Sequence, residues 1–386
     1  MINEKQLDIT LVSIIPNLVG GEGHIIPYHI AVNQATKILG WQHKLAYSSD
    51  STQEKITNLP DDWHDCLDGD NLEAEANLRG QIGKLTKVFP LAKSIANYLK
   101  NEVLSESKKT LIFLERFIHL QLLAFWLATL LIPPKNLTVW ILYRRDIHNH
   151  KTRIIYKLLN KLIKNRVSSE NFQLLTDSKL LSKSLSNYFQ EKVTVMPIPH
   201  TELIENKTEN KDDLIFCWWA GPPREEKGWE VIRNMTKYQS LEAEKFCLVA
   251  AKSSQLTSIK GGVKVNLIED NISRLEYVKW LAKSDFILLP YDPEAYKERT
   301  SGIFTEAIIA GKIVVVTPNT WMAQELGKYN LENLVIDWHN MQNVFQHFQE
   351  ILDARESQEK IKFMQKEYVL FHNVNNYAMT MKNLVS

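Results

Sequence analysis

Four features follow one another at the start of this chain, and together they leave few folds open. Ile9–Ile15 (ITLVSII) is short, apolar and rich in β-branched residues, the composition of a strand buried in a parallel sheet. Asn17-Leu-Val-Gly-Gly-Glu-Gly23 is a glycine-rich turn. Ile25–Leu39 then shows helical spacing and stops at Gly40, and His43–Tyr47 reads as a second strand. Strand, glycine turn, helix and strand make a βαβ unit, which needs a parallel sheet and a right-handed crossover. Residues 51–90 are polar and irregular. The alternation then resumes with a helix near 90–104, strand Leu111–Leu114, an apolar helix over 119–131 and strand Leu137–Leu142. A basic amphipathic helix, Lys151–Asn165, leads to strand Phe172–Leu175. That strand ends in Thr176-Asp177-Ser178, where the next helix caps.

Val193–His200 (VTVMPIPH) is followed by Glu202–Asp213, which is polar, charged and free of aromatics. This shift marks a domain boundary. The alternation then begins again. Leu214–Ala220 (LIFCWWA) is a strand, Gly221–Gly228 (GPPREEKG) a turn, and Trp229–Met235 opens a helix. Phe246–Ala250, Val263–Ile268, Phe286–Leu289 and Ile313–Thr317 read as strands, with a helix over Ile303–Ala310 and helices over most of 340–386. The length of 386 residues also exceeds the roughly 250–300 at which single cores stop growing. The expected fold class is therefore α/β, with two Rossmann-like doubly wound domains facing each other across a cleft. The expected N-terminal domain covers 1–200 and the C-terminal domain 201–365.

Forty-six Lys+Arg against 45 Asp+Glu leave a formal charge of +1, so nothing draws the whole chain toward nucleic acid and any anion site must be local. Three cysteines without a CxxC pair favour a reducing, cytoplasmic setting. Glu4, Lys5 and Asp8 precede the first apolar run, which therefore does not read as a signal peptide. Leu120–Pro133 (LQLLAFWLATLLIP) is apolar but shorter than the roughly 20 residues of a membrane span. It reads as a buried helix, with peripheral contact at the inner face of a membrane as the alternative. The basic stretch Lys151–Arg166 reads as a solvated face. Its alternative is attraction to a phosphorylated, lipid-linked acceptor or an anionic membrane.

Three loops could carry chemistry. Gly20, Gly21 and Gly23 follow the first strand, where a ligand can approach backbone lacking Cβ atoms and helix amides can meet an anion. A dinucleotide fingerprint fails there, because Ile26 stands at the third glycine position and Asp50 comes late. In the second loop, Gly221–Gly228, Arg224 and Lys227 sit between a strand and a helix, which suits a diphosphate. The third runs from Glu298 to Glu306. Thr300, Ser301, Gly302 and Ile303 offer helix-start amides to phosphate or sugar oxygens, and Glu306 can accept from a ribose diol. Other groups are bland. Asp146, His148 and His150 make a weak metal set, and Asp61–Cys66 reads as a solvated or acceptor-side loop. Trp218, Trp219, Trp229 and Trp280 read as packing, and Arg144 or Arg145 either faces the cleft or caps its strand.

Taken together, residues 214–325 resemble the donor-binding domain of GT-B glycosyltransferases of the large retaining family 4 type. The resemblance rests on four elements in order: strand–G-P-P-R-E-E-K-G–helix, S-D-F-I-L-L-P-Y-D, Glu298-x7-Glu306-Ala307 and A-G-K-I-V-V-V. The N-terminal glycine turn, Thr176-Asp177-Ser178 and V-M-P-I-P-H are similar to that family as well. The resemblance implies transfer of a sugar from a nucleotide-diphosphate sugar to a hydroxyl of a glycan, lipid-linked or small-molecule acceptor, with retention. Lys227, Arg224 and helix N-termini can stabilise the leaving diphosphate without a metal, and no cofactor beyond the donor substrate is expected. By the same resemblance Lys227 and Arg224 would hold the diphosphate, Glu306 the ribose, and Glu298 would lie near the transferred sugar. The Ser301-Gly302 amides would face sugar or phosphates, the Gly20–Gly23 turn would close on the donor, and a helix over 366–386 would pack back on the first domain. Three departures stand out. Arg224 precedes Lys227 by three residues where the family commonly has five, the glycine of the Glu-x7-Glu loop is one position late, and no histidine precedes Asp146. The alternatives are a sugar-nucleotide epimerase of the same fold and a non-catalytic carbohydrate-binding relative.

Overall fold

The computed structural model describes residues 8–18, 25–49, 59–69, 72, 78–104, 109–201 and 214–385. They form two compact units. Unit 1 takes the described residues up to Pro197 and those from Tyr377 onward, and unit 2 takes Ile198–Asn376.

In unit 1 the chain runs β1 (Ile9–Leu18), α1 (Ile25–Leu39), β2 (Gln42–Ser49), β3 (Trp63–Asp65), α2 (Leu78–Glu102) and β4 (Lys109–Glu115). It continues through α3 (His119–Leu131), β5 (Leu137–Leu142), α4 (Arg153–Val167), β6 (Phe172–Thr176), α5 (Lys179–Phe189) and β7 (Val193–Val195). The strands form one parallel sheet in the order β3-β2-β1-β4-β5-β6-β7. The order reverses between β1 and β4. These two strands are covered on both faces: Val12, Ile14, Ile112 and Leu114 on one face have no exposure, and Leu11, Ser13, Leu111 and Phe113 on the other are no more than 1% exposed. Continuous apolar runs are the residue pattern such strands require.

Unit 2 repeats the plan with β8 (Ile215–Trp218), α6 (Trp229–Lys237), β9 (Phe246–Ala251), β10 (Lys264–Ile268), α7 (Arg274–Lys283), β11 (Phe286–Leu289), α8 (Gly302–Ile309) and β12 (Ile313–Val316). Its parallel sheet has the order β10-β9-β8-β11-β12, reversing between β8 and β11. Three helices follow, α9 (Trp321–Gly327), α10 (Met341–Asp353) and α11 (Arg355–Phe371), and then α12 (Val374–Val385), whose residues from Tyr377 onward belong to unit 1. Phe348 of α10 stacks on Phe286 at 4.8 Å and closes the core. The expected doubly wound, Rossmann-like α/β class holds for each unit.

Four local expectations need correction. The helix placed near 90–104 starts at Leu78, with Pro90 inside it. Pro90 is exposed, and the buried stripe Val88, Leu91, Ala92, Ile95, Ala96 and Leu99 carries the helix through the missing amide. Trp63–Asp65, read as part of a loop, is the edge strand β3, and Trp63 is buried with Ile15, Leu18 and Leu45. Helix α7 was not expected, although Ser273 and Glu276 form a capping box at its start. The segment from 366 is not one helix, because α11 ends at Phe371 and α12 begins at Val374. In unit 1 the α12 residue Tyr377 meets Tyr28 of α1, hydroxyl to hydroxyl, at 2.9 Å.

Candidate active site

In a doubly wound sheet ligands bind beyond the carboxyl ends of the strands, where the strand order reverses. In unit 2 that point lies between β8 and β11, and the loops after these two strands contain Arg224, Lys227 and Glu298. Several contacts hold the loops together. Asp292 donates its backbone N–H to the Glu226 carbonyl at 3.0 Å, and Arg299 Nη1 reaches Glu226 Oε1 at 3.3 Å. Gly228 has φ +81°, and a Cβ built there would stand 2.0 Å from the Pro290 carbonyl oxygen. Only glycine permits this contact between the loops.

Lys227 ends a short 3-10 turn, Glu225–Lys227. Its backbone carbonyl accepts from Trp219 Nε1 at 3.0 Å, and Trp219 is fully buried and stacks on Trp229. The backbone is thus anchored while the side chain extends over Gly221. A Cβ on Gly221 would lie 2.8 Å from Lys227 Nζ and 3.9 Å from Ile303 Cδ1. The ammonium and the first turn of α8 therefore flank the same glycine. Two of the sequence motifs converge here. Arg224 is exposed on the preceding residue of the turn, and Glu298 and Thr300 are half-buried in the loop that enters α8.

Ser301 is the N-cap of α8. Its Oγ accepts from the Phe304 N–H at 3.3 Å, and its carbonyl accepts from the Thr305 N–H at 3.2 Å. The first amides of a helix lack intrahelical partners, so Gly302 and Ile303 present the outward N–H groups at the positive end of the helix. The Ser301 hydroxyl itself serves the cap.

Glu306 lies one turn inside α8 and is almost fully buried. Its Oε2 accepts from Arg274 Nη1 at 2.9 Å, and its Oε1 lies 3.1 Å from His200 Nε2. Arg274 also donates to the His200 carbonyl at 3.1 Å. Burial alone would raise the carboxyl pKa, but the bond and charge of His200 and the charge of Arg274 outweigh it and hold the pKa below the usual value. The Tyr277 hydroxyl bonds the same carboxylate. A carboxylate offers about four lone-pair sites, so a ribose diol must share Glu306 with these three partners. No local pattern marks Arg274 in the sequence. His200 had been visible only as the end of V-M-P-I-P-H.

The carboxyl edge of unit 1 holds a separate polar cluster. Glu115, at the end of β4, pairs with His29 at 2.9 Å and with Arg144 at 3.1 Å. Arg144 lies 3.7 Å from Asp177 and 4.2 Å from the centre of the Tyr28 ring. This resolves the choice left open for residues 144 and 145: Arg144 turns into the cluster and Arg145 is exposed. Arg116, with φ +53°, donates to the Asn17 carbonyl at the end of β1 at 2.6 Å. Gly20, Gly21 and Gly23, which follow β1, lie outside the described residues.

No protein-family model matches the chain, and no curated protein matches it in sequence. Solved structures do. Sucrose-phosphate synthase from Thermosynechococcus elongatus superposes with a TM-score of 0.65 at 13% identity, covering 98% of each chain. HepE from Anabaena, solved with UDP-glucose, gives 0.59 at 11%, covering 98% of each chain. WaaG, a glycosyltransferase of lipopolysaccharide biosynthesis, gives 0.58 at 11%, covering 97% of this chain and 99% of its own. At such low identity the likeness is one of fold, and the fold is GT-B over essentially the whole chain.

Proposed function

We propose that the protein is a glycosyltransferase that moves a sugar from a nucleotide-diphosphate sugar to an acceptor hydroxyl, with retention and without a metal. One observation carries the proposal: the Lys227 ammonium extends over Gly221 beside the first turn of α8, at the point where the strand order of unit 2 reverses. As the glycosidic bond breaks, negative charge grows on the leaving diphosphate and positive charge on the anomeric carbon. Lys227 and Arg224 supply cations to the diphosphate, and the Gly302 and Ile303 amides supply fixed dipoles. Glu298 lies on the same loop and faces the developing cation, while Glu306, steadied by Arg274 and His200, takes the ribose. The acceptor is a glycan, lipid-linked or small-molecule hydroxyl.

HepE was solved with UDP-glucose, which makes that compound a sensible first probe. Nucleotide release that needs an added acceptor marks a transferase, whereas conversion of the donor without acceptor marks an epimerase. Lys227→Ala is expected to lower turnover by about 10²–10³ with folding kept, the range for removing one group that stabilises transition-state charge. A variant with near wild-type turnover refutes the diphosphate assignment. Activity is also expected to survive EDTA. A loss reversed by a divalent cation would transfer the role to a bound metal, with Asp68-Gly69-Asp70 the Asp-x-Asp triplet to examine first.

A further inference from the structure

Helix α4 presents an outward face that the proposed chemistry does not use. Its buried side is Tyr156, Leu159, Asn160, Ile163 and Val167. Its outward side alternates cations with aliphatic residues: Ile154 is 72% exposed, Leu158 54% and Ile155 40%, beside exposed Arg153, Lys157 and Lys161. Three aliphatic side chains within two turns are more than scattered surface hydrophobes would supply. The face is also charged with one sign only. Helices α4 and α5 together carry seven Lys and Arg and no Asp or Glu, in a chain whose net charge is +1, which leaves the remainder at −6. The two helices adjoin, since Lys157 Nζ lies 5.3 Å from the centre of the Tyr188 ring.

Arg153 opens α4, and its first turn holds no acid. A cation there opposes the helix dipole, so local helix stability does not account for it. Lys164 and Arg166 have internal work: Lys164 pairs with Glu191, and Arg166 donates to the Thr129 and Ile132 carbonyls at the end of α3. The outward cations Arg153, Lys157 and Lys161 cluster instead with the exposed aliphatics. Because α4 follows β5, its first turns lie at the carboxyl edge of the unit 1 sheet, the edge that holds Glu115, Arg144 and Asp177.

We propose that the outward face of α4 docks on an anionic lipid bilayer. The cations meet acidic headgroups while Ile154, Ile155 and Leu158 enter the boundary with the acyl chains. No described helix is long and apolar enough to cross a membrane. Charge complementarity selects an anionic surface, and the interleaved aliphatics select lipid over nucleic acid or an acidic protein. The assignment does not depend on the transferase reading. If both hold, an acceptor carried in the membrane reaches unit 1 from the docked side.

The test is co-sedimentation of the full chain with vesicles of phosphatidylcholine alone, or with phosphatidylglycerol as a third of the lipid. Wild type is expected to bind the anionic vesicles at low salt, to release as salt rises, and to bind neutral vesicles weakly. Arg153→Gln/Lys161→Gln should lower partitioning roughly 25-fold, about fivefold for each cation. Ile154→Ser/Leu158→Ser should lower it by about tenfold or more. Both pairs are exposed, so melting temperature and the thermal shift with UDP-glucose should match wild type and report separately on fold and donor site. Absence of binding to anionic vesicles at low salt overturns the proposal. So does wild-type partitioning by either double variant. DNA binding equal to vesicle binding, with no dependence on Ile154 and Leu158, also overturns it.

Discussion

Replacing Glu306 with alanine should destabilise unit 2 by about 3 kcal/mol, toward the low end for removing one partner of a buried ion pair. The lost contacts are those of Arg274 at 2.9 Å, His200 at 3.1 Å and the Tyr277 hydroxyl. His200 is only 2% exposed and has no water to turn to, whereas Arg274 is 28% exposed and recovers part of its solvation. That difference places the figure low in the range. For a unit of this size each kcal/mol shifts the melting temperature by about 2–4 °C, so a fall of about 6–12 °C is expected. Calorimetry of the whole protein, read on the unit 2 transition, measures it. Glu306→Gln keeps the shape and one acceptor and should lose about 1–2 kcal/mol. It is therefore the better variant for nucleotide affinity. The sign with pH is fixed as well. The Glu306 carboxyl is held below its usual value, so its contribution is complete above the unfolded value of about 4.3 and disappears as pH falls through the folded one. The gap between wild type and Glu306→Ala should narrow in acid. A variant melting within about 1 °C of wild type at neutral pH refutes the reasoning.

Further outcomes follow from the same contacts. Gly228→Ala combines φ +81° with a Cβ 2.0 Å from a backbone oxygen, so a loss of about 3 kcal/mol or more in thermal unfolding is expected. Gly221→Ala meets only the flexible end of Lys227. It should cost about 1–2 kcal/mol for its φ of +91° yet lower turnover by tenfold or more, by displacing the ammonium. His43 and His372 are both driven down to about 3, chiefly by burial and secondarily by a neighbouring histidine's charge. Their unfolded forms take up protons below about 6.5, so stability should fall from there toward pH 4 by about 1.4 kcal/mol per pH unit for each. His372→Asn should flatten the slope of unit 2, and an unchanged slope would exclude its part in it.

The apolar runs of β5 and β11 and the periodic span of α1 were legible because each element is continuous and carries its own signal. β3 was not, because three residues inside a polar stretch become a strand only by pairing with β2. Pro90 hid the first half of α2, since a proline normally marks a helix boundary, and the stripe that overrides it needs the sheet beneath. At the site, Gly221, Lys227 and Ile303 could be read as parts of loops that follow strands. Their meeting could not be read, because it depends on β8 and β11 being neighbours in the sheet. Arg274 gave no local sign, and only tertiary packing brings it to a carboxylate 32 positions away. Arg144 was ambiguous for a similar reason. Its partners Glu115 and Asp177 end the two strands on either side of its own.

The Tyr28–Tyr377 contact joins residues 349 positions apart within a single unit. A ribosome therefore produces nearly all of unit 1 first, then the whole of unit 2, and only afterwards the residue that meets Tyr28. Until then the α1 site for Tyr377 waits uncovered. The nascent chain carries that patch of aromatic surface through most of its synthesis, and a chain that stops short of Tyr377 never covers it. Such truncated chains should be preferred clients of chaperones and proteases even when every residue of the donor-side sheet is present.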